Sequence, residues 1–228
     1  MRQALIFTGG AHPPKELFQH YIRTRYPQDF NPLVVAADSG LHCAESFGYV
    51  PDVIIGDMDS IDTSRLARYP SVRQMVYEKD KDDTDTVLAL QEAVRRGADM
   101  LLLCGGDGGR IDHLLGIVKQ FERFPAPDLW FCREQIILHL CSGNPAIPAV
   151  LELPAVQCRE HLSVFPVRSK QGVYRLRSEG LVWPVDCVDW EHGGFSLSNR
   201  STEAYIQANK PVRLTAESGA FIVIVPYS

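Results

Sequence analysis

The chain has 228 residues, of which 45% are hydrophobic and 22% charged, and its formal net charge is −5 at pH 7. These values are ordinary for a soluble globular protein, and the length allows one or two domains with a sizeable core. The negative charge balance does not favour a surface for nucleic acid or for an anionic membrane. No apolar run approaches the ~18 residues of a membrane span. From the charge and from this absence, we expect neither a nucleic-acid nor a membrane partner.

The six cysteines show no Cys-x-x-Cys pair and no paired spacing. Several lie within apolar runs, where a free thiol behaves as a small hydrophobic side chain. We therefore expect reduced cysteines and a cytoplasmic protein, without a disulfide framework or structural zinc. The first ten residues have too short an apolar core for a signal peptide and fit a first strand instead.

The first 130 or so residues alternate strand-like and helix-like segments. Unbroken apolar runs, each followed by a helical pattern, predict a mainly parallel, Rossmann-like α/β sheet with helices on both faces. The predicted strands are Ala4–Phe7, Leu33–Ala37, Val53–Ile55, Val72–Val76, Met100–Cys104 and Leu129–Cys132. The predicted helices run from Pro14 to Tyr26, from after Gly40 to Phe47, from Asp83 or Thr84 to Arg96, and from after His113 to Phe124.

The pattern changes around Pro125–Pro127, and after Glu134 the sequence shows no amphipathic helix. Short strand-like runs separated by turn signals follow, which is typical of an antiparallel β-sandwich or barrel. These runs are Ile136–Cys141, Val150–Leu153, Leu162–Phe165, Val173–Leu176, Phe195–Leu197, Ala204–Ala208, Val212–Thr215 and Ala220–Val225. We place the domain boundary after residue 135, which predicts an α/β domain at 1–135 and an all-β domain at 136–228.

Two carboxylates follow the third predicted strand at once. Gly56 ends that strand, and Asp57 and Asp59 stand one residue apart, with no Lys or Arg between Pro51 and Ser64. The crevice beyond the carboxyl ends of the strands is where open α/β sheets bind ligands. A carboxylate pair there indicates a site for a hard cation such as Mg²⁺, which takes oxygen ligands and works with substrate phosphates. Turn chemistry alone is the simpler explanation of any single Asp-x-Asp.

Three further polar clusters follow predicted strands: Asp38-Ser39-Gly40, Lys81-Asp82-Asp83-Thr84-Asp85, and Gly105 to His113. Crowded carboxylates repel one another, and a divalent cation offsets that repulsion. The glycine run lets the backbone approach a ligand closely and present N–H groups to phosphate. Arg110 adds a planar guanidinium that fits phosphate oxygens. His113 fits either a catalytic role or a structural hydrogen bond at a helix start.

These clusters carry a family resemblance. Together with Ser163-Val-Phe-Pro166, Gly180-Leu-x-Trp183-Pro184 and Ser196-x-Ser198-Asn199, they occur in the order found in thiamine pyrophosphokinases. The chain resembles that family over about residues 5 to 225. The resemblance implies an α/β nucleotide-binding domain followed by a β-sandwich. It also implies transfer of a pyrophosphoryl group from ATP to thiamine, giving thiamine diphosphate and AMP.

The resemblance also implies roles for individual residues. Asp57, Asp59 and Asp85 resemble the Mg²⁺ site. The contacts to ATP or to the reacting groups are implied for Asp38, Ser39, Lys81, Asp82, Arg110 and Asp112. Part of the thiamine site is implied for Ser196, Ser198 and Asn199. The resemblance further implies a homodimer in which the partner subunit completes the active site.

Several alternatives stay open. The proton acceptor is Asp112 or one of Asp82 and Asp85, and Trp183 is either an aromatic face of the acceptor pocket or a core residue. The chain departs from the family pattern at Val182 and Arg200, which concerns acceptor recognition. The rival functions are a pyrophosphokinase acting on another heterocyclic alcohol, such as a pterin, and a non-catalytic nucleotide or thiamine sensor.

Overall fold

The structure is a computed structural model that describes residues 2–26, 30–59, 63–144, 147–167 and 172–227. The chain divides into two units, Met1–Arg133 and Glu134–Ser228. Ser60 of the motif after the third strand, and Pro145 and Gln171 of two predicted turns, lie outside the described residues. Within the described ranges, no helix is long and apolar enough to cross a membrane.

The first unit contains a six-stranded sheet in the order β6-β5-β1-β2-β3-β4, and every neighbouring pair is parallel. The strands are β1 Gln3–Phe7, β2 Leu33–Ala37, β3 Val53–Gly56, β4 Arg73–Val76, β5 Met100–Cys104 and β6 Leu129–Phe131. All five residues of β2 are buried, so side chains on both faces of that strand are covered. The predicted parallel sheet with helices on both faces is confirmed.

Among the described residues of this unit, five helices connect the strands: α1 Lys15–Arg25, α2 Gly40–Phe47, α3 Thr63–Leu66, α4 Asp85–Arg95 and α5 Ile111–Gln120. Thr84 begins α4, because its hydroxyl oxygen accepts a hydrogen bond from the Val87 N–H at 3.3 Å. This contact selects Thr84 over Asp83 as the cap. Helix α5 ends at Gln120, four residues before the predicted end at Phe124. The chain turns through residues 121–123 instead. Phe124 precedes Pro125, and a residue before proline disfavours the helical conformation.

The strand order creates a switch point between β1 and β5. The chain moves from β1 to β2, β3 and β4 on one side, and then places β5 and β6 on the other side of β1. In open α/β sheets, ligands bind in the crevice outside the carboxyl ends of the strands at such a point. The loops that follow β1 and β5 therefore border the expected ligand site.

The second unit contains two antiparallel sheets, β11-β9-β13-β7 and β10-β12-β8. The strands are β7 Gln135–Cys141, β8 Val150–Pro154, β9 Leu162–Val167, β10 Arg175–Glu179, β11 Ser196–Asn199, β12 Pro211–Ser218 and β13 Ala220–Pro226. Burial alternates along β8 and β12, which shows that one face of this sheet packs inward. The predicted antiparallel β-sandwich is confirmed.

One predicted strand is wrong. The run Ala204–Ala208 falls on a helix, α6 Glu203–Gln207, and on its C-cap residue Ala208, where we predicted no helix after Glu134. The Thr202 hydroxyl accepts a hydrogen bond from the Tyr205 N–H at 3.4 Å, and Asn209 takes a left-handed conformation (φ 49°) just after the helix. These end signals outweigh the apolar content of the short run.

Strand β10 also begins later than predicted, at Arg175 rather than Val173, and extends to Glu179. Leu176 is buried between the exposed Arg175 and Arg177, so the strand shows an alternating pattern and not the apolar run that guided the prediction.

Candidate active site

Four polar loops lie at one edge of the first unit's sheet. Asp38 directly follows β2, Asp57 directly follows β3, and Gly105 directly follows β5. The loop that begins at Thr8 follows β1. Because these strands are parallel neighbours, their carboxyl ends share one edge.

Three carboxylates meet at this edge. One oxygen from each of Asp38, Asp57 and Asp59 lies within 4.8 Å of the others. The Asp59 N–H donates to Asp57 Oδ1 at 3.1 Å, which holds the two residues in one turn. This group contains Asp38, to which we assigned an ATP contact, and does not contain Asp85. We refer to Asp38, Asp57 and Asp59 as the acidic cluster.

Unusual backbone geometry presents the acidic cluster. Asp38 and Met58 both have left-handed conformations, with φ of 49° and 62°. The Met58 side chain packs against the buried residues Ala36, Leu41 and Ile54, so it anchors the turn between the two aspartates. Non-glycine residues with positive φ are uncommon, and such strain concentrates at functional sites.

The donor set of the acidic cluster fits a hard divalent cation. All three groups offer carboxylate oxygens, which Mg²⁺ prefers. Asp38 Oδ1 is buried and has no hydrogen-bond partner among the described residues, although buried polar atoms are ordinarily paired. An oxygen in that position is available to a metal ion.

Two lysines balance the negative charge. Lys79 Nζ lies 2.8 Å from Asp59 Oδ2, and its hydrogen bond is the main cause that lowers the pKa of Asp59. Lys81 Nζ lies 3.1 Å from Asp85 Oδ1 and 3.1 Å from the carbonyl oxygen of Glu78. The sequence pattern did not indicate a role for Lys79, because this residue stands beyond β4 and far from the Asp57–Asp59 turn in the chain.

Asp85 lies at the start of α4, within electrostatic reach of the acidic cluster. Burial raises the pKa of the Asp85 carboxyl, Lys81 opposes that shift, and the charges of Asp38 and Asp57 add to it. The first turn of a helix favours a carboxylate, because the helix dipole is positive there. Asp82, by contrast, is exposed.

The glycine-rich loop after β5 is shaped by close backbone contacts. Gly105 has a φ of 96°, and a side chain there would place its Cβ 2.5 Å from the Thr8 carbonyl oxygen. The Ala11 N–H donates to the Asp107 carbonyl oxygen at 2.6 Å, and the Arg133 N–H donates to Asp107 Oδ2 at 2.9 Å. The loop is thereby tied to the loop after β1 and to the end of β6. Asp107 makes both contacts, and no motif in the sequence distinguishes it from the rest of the loop.

Arg110 and Asp112 form an exposed ion pair at the start of α5. Arg110 Nε lies 3.1 Å from Asp112 Oδ1, and Nη2 lies 2.5 Å from Oδ2. The hydrogen bond from Arg110 is the main cause that lowers the pKa of Asp112 to about 2. The His113 N–H donates to Asp112 Oδ1 at 3.1 Å, while the His113 side chain is exposed. Asp112 is therefore a weak base as long as Arg110 is paired with it.

Ser39 lies beside the loop after β1. Its hydroxyl oxygen occupies the space where a Cβ on Gly9 would stand, 2.3 Å away. Gly40 starts α2 so close to β1 that a Cβ there would meet the Phe7 carbonyl oxygen at 2.2 Å. The sequence Asp38-Ser39-Gly40 thus brings a carboxylate and a hydroxyl to the switch-point edge.

In the second unit, a β-bulge reshapes the Ser196-x-Ser198-Asn199 motif. Ser196 pairs with Val164 and Asn199 pairs with Leu162, so β11 carries one extra residue. Ser198 is exposed in a left-handed conformation (φ 51°). In a regular strand, two residues that stand two apart, such as Ser196 and Ser198, would lie on the same face, and the extra residue breaks this alternation. Ser196 instead contacts Asn199, with Asn199 Nδ2 donating to Ser196 Oγ at 3.3 Å.

The Asn199 side chain is only 1% exposed, and all of its hydrogen-bonding groups have partners. We refer to Asn199 with these hydrogen bonds as the Asn199 clamp. Its Oδ1 accepts from the N–H groups of Trp183 and Arg200 at 3.3 and 2.9 Å. Its Nδ2 donates to the Trp183 carbonyl oxygen at 2.7 Å as well as to Ser196. A carboxamide has two donors and two acceptor sites, so this arrangement uses its full capacity.

Trp183 is a surface residue. Its side chain is 52% exposed, so the reading of Trp183 as a core residue is wrong. The Arg200 guanidinium carbon lies 5.0 Å from the centre of the Trp183 ring, within the range of a cation–π interaction. Arg200, one of the two departures from the family pattern, thus occupies one face of the candidate aromatic platform. Val182, the other departure, is also exposed.

Comparison with known proteins supports the resemblance. Residues 28–130 match the family described as thiamin pyrophosphokinase, catalytic domain. The chain is 33% identical over 121 residues to a thiamine pyrophosphokinase from Bacillus subtilis, covering 52% of this chain and 54% of that protein. It is 27% identical over 171 residues to thiamine pyrophosphokinase 1 from Arabidopsis thaliana, covering 69% of this chain and 61% of that protein. The matched regions thus span a little over half of these relatives.

Solved structures share the fold over the whole chain. A thiamin pyrophosphokinase family protein from Enterococcus faecalis has a TM-score of 0.72, covers 99% of each chain and is 22% identical. The thiamine pyrophosphokinase from Bacillus subtilis has a TM-score of 0.70, covers 100% of each chain and is 20% identical. Residues 28–130, which match the thiamin pyrophosphokinase catalytic-domain family, hold the acidic cluster, Asp85 and the glycine-rich loop.

Proposed function

We propose that the protein is a Mg²⁺-dependent thiamine diphosphokinase, which transfers a pyrophosphoryl group from ATP to the hydroxyl of thiamine. The products are thiamine diphosphate and AMP. The observation that carries this proposal is the meeting of Asp38, Asp57 and Asp59 beside a glycine-rich loop at the switch-point edge, within the segment that matches the family. The relatives that carry the name thiamine pyrophosphokinase support the same activity.

ATP is proposed to bind at the switch point, with its phosphates towards the acidic cluster. The glycine-rich loop offers backbone N–H groups at positions with positive φ, which suits phosphate oxygens. The acidic cluster would hold Mg²⁺, which when bound would neutralise part of the phosphate charge. Ser39, Lys81 and Asp82 border the nucleotide in this arrangement.

Arg110 is proposed to act on the pyrophosphoryl group in transit. Its guanidinium is exposed and paired with Asp112 at the start of α5, where the chain leaves the glycine-rich loop. A phosphate group would compete with Asp112 for the same planar fork. Charge that develops on the phosphate oxygens in the transition state would then be stabilised by a preorganised cation.

In the reaction, the thiamine hydroxyl oxygen attacks the β-phosphorus of ATP. The bond from that phosphorus to the oxygen bridging the α- and β-phosphates breaks, and AMP leaves with that oxygen. The hydroxyl proton passes to a carboxylate, for which we propose Asp85. Burial raises the pKa of Asp85, whereas Arg110 lowers that of Asp112 to about 2, so Asp85 is the stronger base of the two.

Thiamine is proposed to bind the second unit. Ser196 and Ser198 would offer polar contacts, Trp183 would offer an aromatic face to the cationic ring, and Asn199 would position Trp183 and Ser196. Our proposal includes a cytoplasmic homodimer with the active site at the subunit interface. A two-fold dimer is the commonest assembly of soluble chains.

The direct test is to incubate the purified protein with Mg-ATP and thiamine and to follow AMP and thiamine diphosphate. We expect both products in equal amounts, and none when Mg²⁺ is chelated. Product from a pterin alcohol but not from thiamine would support the rival pyrophosphokinase. Binding of ATP or thiamine without any product would support the rival sensor.

A further inference from the structure

Arg133 stands at the edge of the switch point, on the side away from the acidic cluster. It follows β6 by two residues, and β6 lies next to β5. Its main-chain N–H donates to Asp107 Oδ2 at 2.9 Å. Since Asp107 belongs to the glycine-rich loop, this bond fixes the Arg133 backbone to the loop that we propose to contact phosphate.

The Arg133 guanidinium lies directly over Gly108. A Cβ built on Gly108 would stand 3.0 Å from Arg133 Nη2 and 3.1 Å from the Ala11 side chain. The guanidinium therefore borders both loops of the switch point, the one after β1 and the one after β5. Gly108 has a φ of 68°, and its lack of a side chain leaves room for this approach.

Within the part of the chain that the structure describes, the Arg133 guanidinium forms no ion pair, and the residue is exposed. The nearby Asp107 directs Oδ2 to the Arg133 main chain. Arg110, on the far end of the same loop, is already paired with Asp112. The loop is thus flanked by two arginines, of which one is paired and the other is available.

We propose that Arg133 is a second phosphate-binding residue of this site and that it holds the polyphosphate of a nucleoside triphosphate in the ground state. A guanidinium presents a planar fork of N–H donors to phosphate oxygens. The resulting charge-assisted hydrogen bonds are stronger than those between neutral groups. Arg110 would act on charge in the transition state, whereas Arg133 contributes affinity. This inference rests on the proposed function only in placing the nucleotide at the switch point.

The test measures ATP binding by calorimetry for the full chain and for Arg133→Gln, Arg133→Lys and Arg23→Gln. We expect Arg133→Gln to weaken ATP binding about tenfold, to weaken adenosine binding by less than twofold, and to leave kcat and the KM for thiamine unchanged. Arg133→Lys keeps the charge but loses the planar fork, so it should recover only part of the affinity. Arg23→Gln changes an exposed arginine on α1 and serves as the matched control.

The outcomes separate this inference from the proposed function. Equal ATP affinity in the wild type and Arg133→Gln would overturn the role of Arg133 and leave the diphosphokinase proposal standing. An equal loss of ATP and adenosine affinity would overturn the phosphate contact in favour of a contact to the nucleoside. A wild-type protein that binds no ATP would overturn both.

Discussion

The acidic cluster and the Asn199 clamp differ in whether their buried polar side-chain atoms have hydrogen-bond partners. In the acidic cluster, Asp38 Oδ1 is buried without a hydrogen-bond partner among the described residues. In the clamp, every polar atom of the Asn199 carboxamide is used by neighbours in the same unit. Atoms left unsatisfied are available to a ligand, whereas satisfied atoms hold structure. We therefore expect mutations in the first region to remove activity and mutations in the second to lower stability.

The largest effect is expected for Asp57→Asn. The change removes a charge that the acidic cluster needs for a divalent cation, so turnover should fall by about 10³-fold or more. The melting temperature should stay within about 2 °C, because Asp57 is not in the core. Product formation and thermal unfolding are the measurements, and Asp80→Asn, at an exposed aspartate outside the cluster, is the control. Near-normal turnover of Asp57→Asn would contradict the metal site.

The second largest effect is expected for Arg110→Lys. Lysine keeps the charge and loses the planar fork, so kcat should fall by about 10²-fold, more than the KM for ATP rises. Steady-state kinetics measures both constants, and Arg123→Lys, which changes an arginine paired with Asp83, provides the comparison. If kcat is unchanged and only ATP binding weakens, Arg110 acts in ground-state binding instead.

Asn199→Ala tests the other side of the comparison. Truncation leaves the main-chain groups of Trp183 and Arg200 without their partner, which should lower the free energy of unfolding by about 2 kcal/mol. Ser198→Ala, at an exposed position on the same strand, should change it by less than about 0.5 kcal/mol. Urea denaturation measures both variants. Equal stability of the two would show that the clamp carries no structural role.

The smallest effect is a shift in pH dependence for Lys81→Gln. Lys81 lowers the pKa of Asp85 through a hydrogen bond and its charge, against the rise that burial causes. Its removal raises the pKa of Asp85 further, so the acid limb of the kcat/KM profile should move to higher pH if ionised Asp85 accepts the proton. Profiles of wild type and variant across the acid range make the measurement. An unmoved acid limb would reassign the proton acceptor.

Local patterns were sufficient for most of the fold. The unbroken apolar runs predicted β2 and β5 with the bounds that the structure has, because strands buried on both faces need apolar residues at every position. The helix predicted to run from Asp83 or Thr84 to Arg96 corresponds to α4, which is capped by Thr84 and followed by Gly97 in a left-handed conformation, because capping depends on residues close in sequence. The order of the motifs after the strands also predicted that polar loops share one sheet edge.

Other features depend on contacts between distant parts of the chain. The membership of Asp38 in the acidic cluster and the pairing of Lys79 with Asp59 arise because parallel neighbours bring separate loops together. The bulge in β11 reverses which side chains share a face, and only pairing with β9 reveals it. The sequence by itself thus determined the elements and the chemistry available at their ends. The tertiary structure alone decided which of those groups meet, because pairing register and loop geometry are set by residues far apart in the chain.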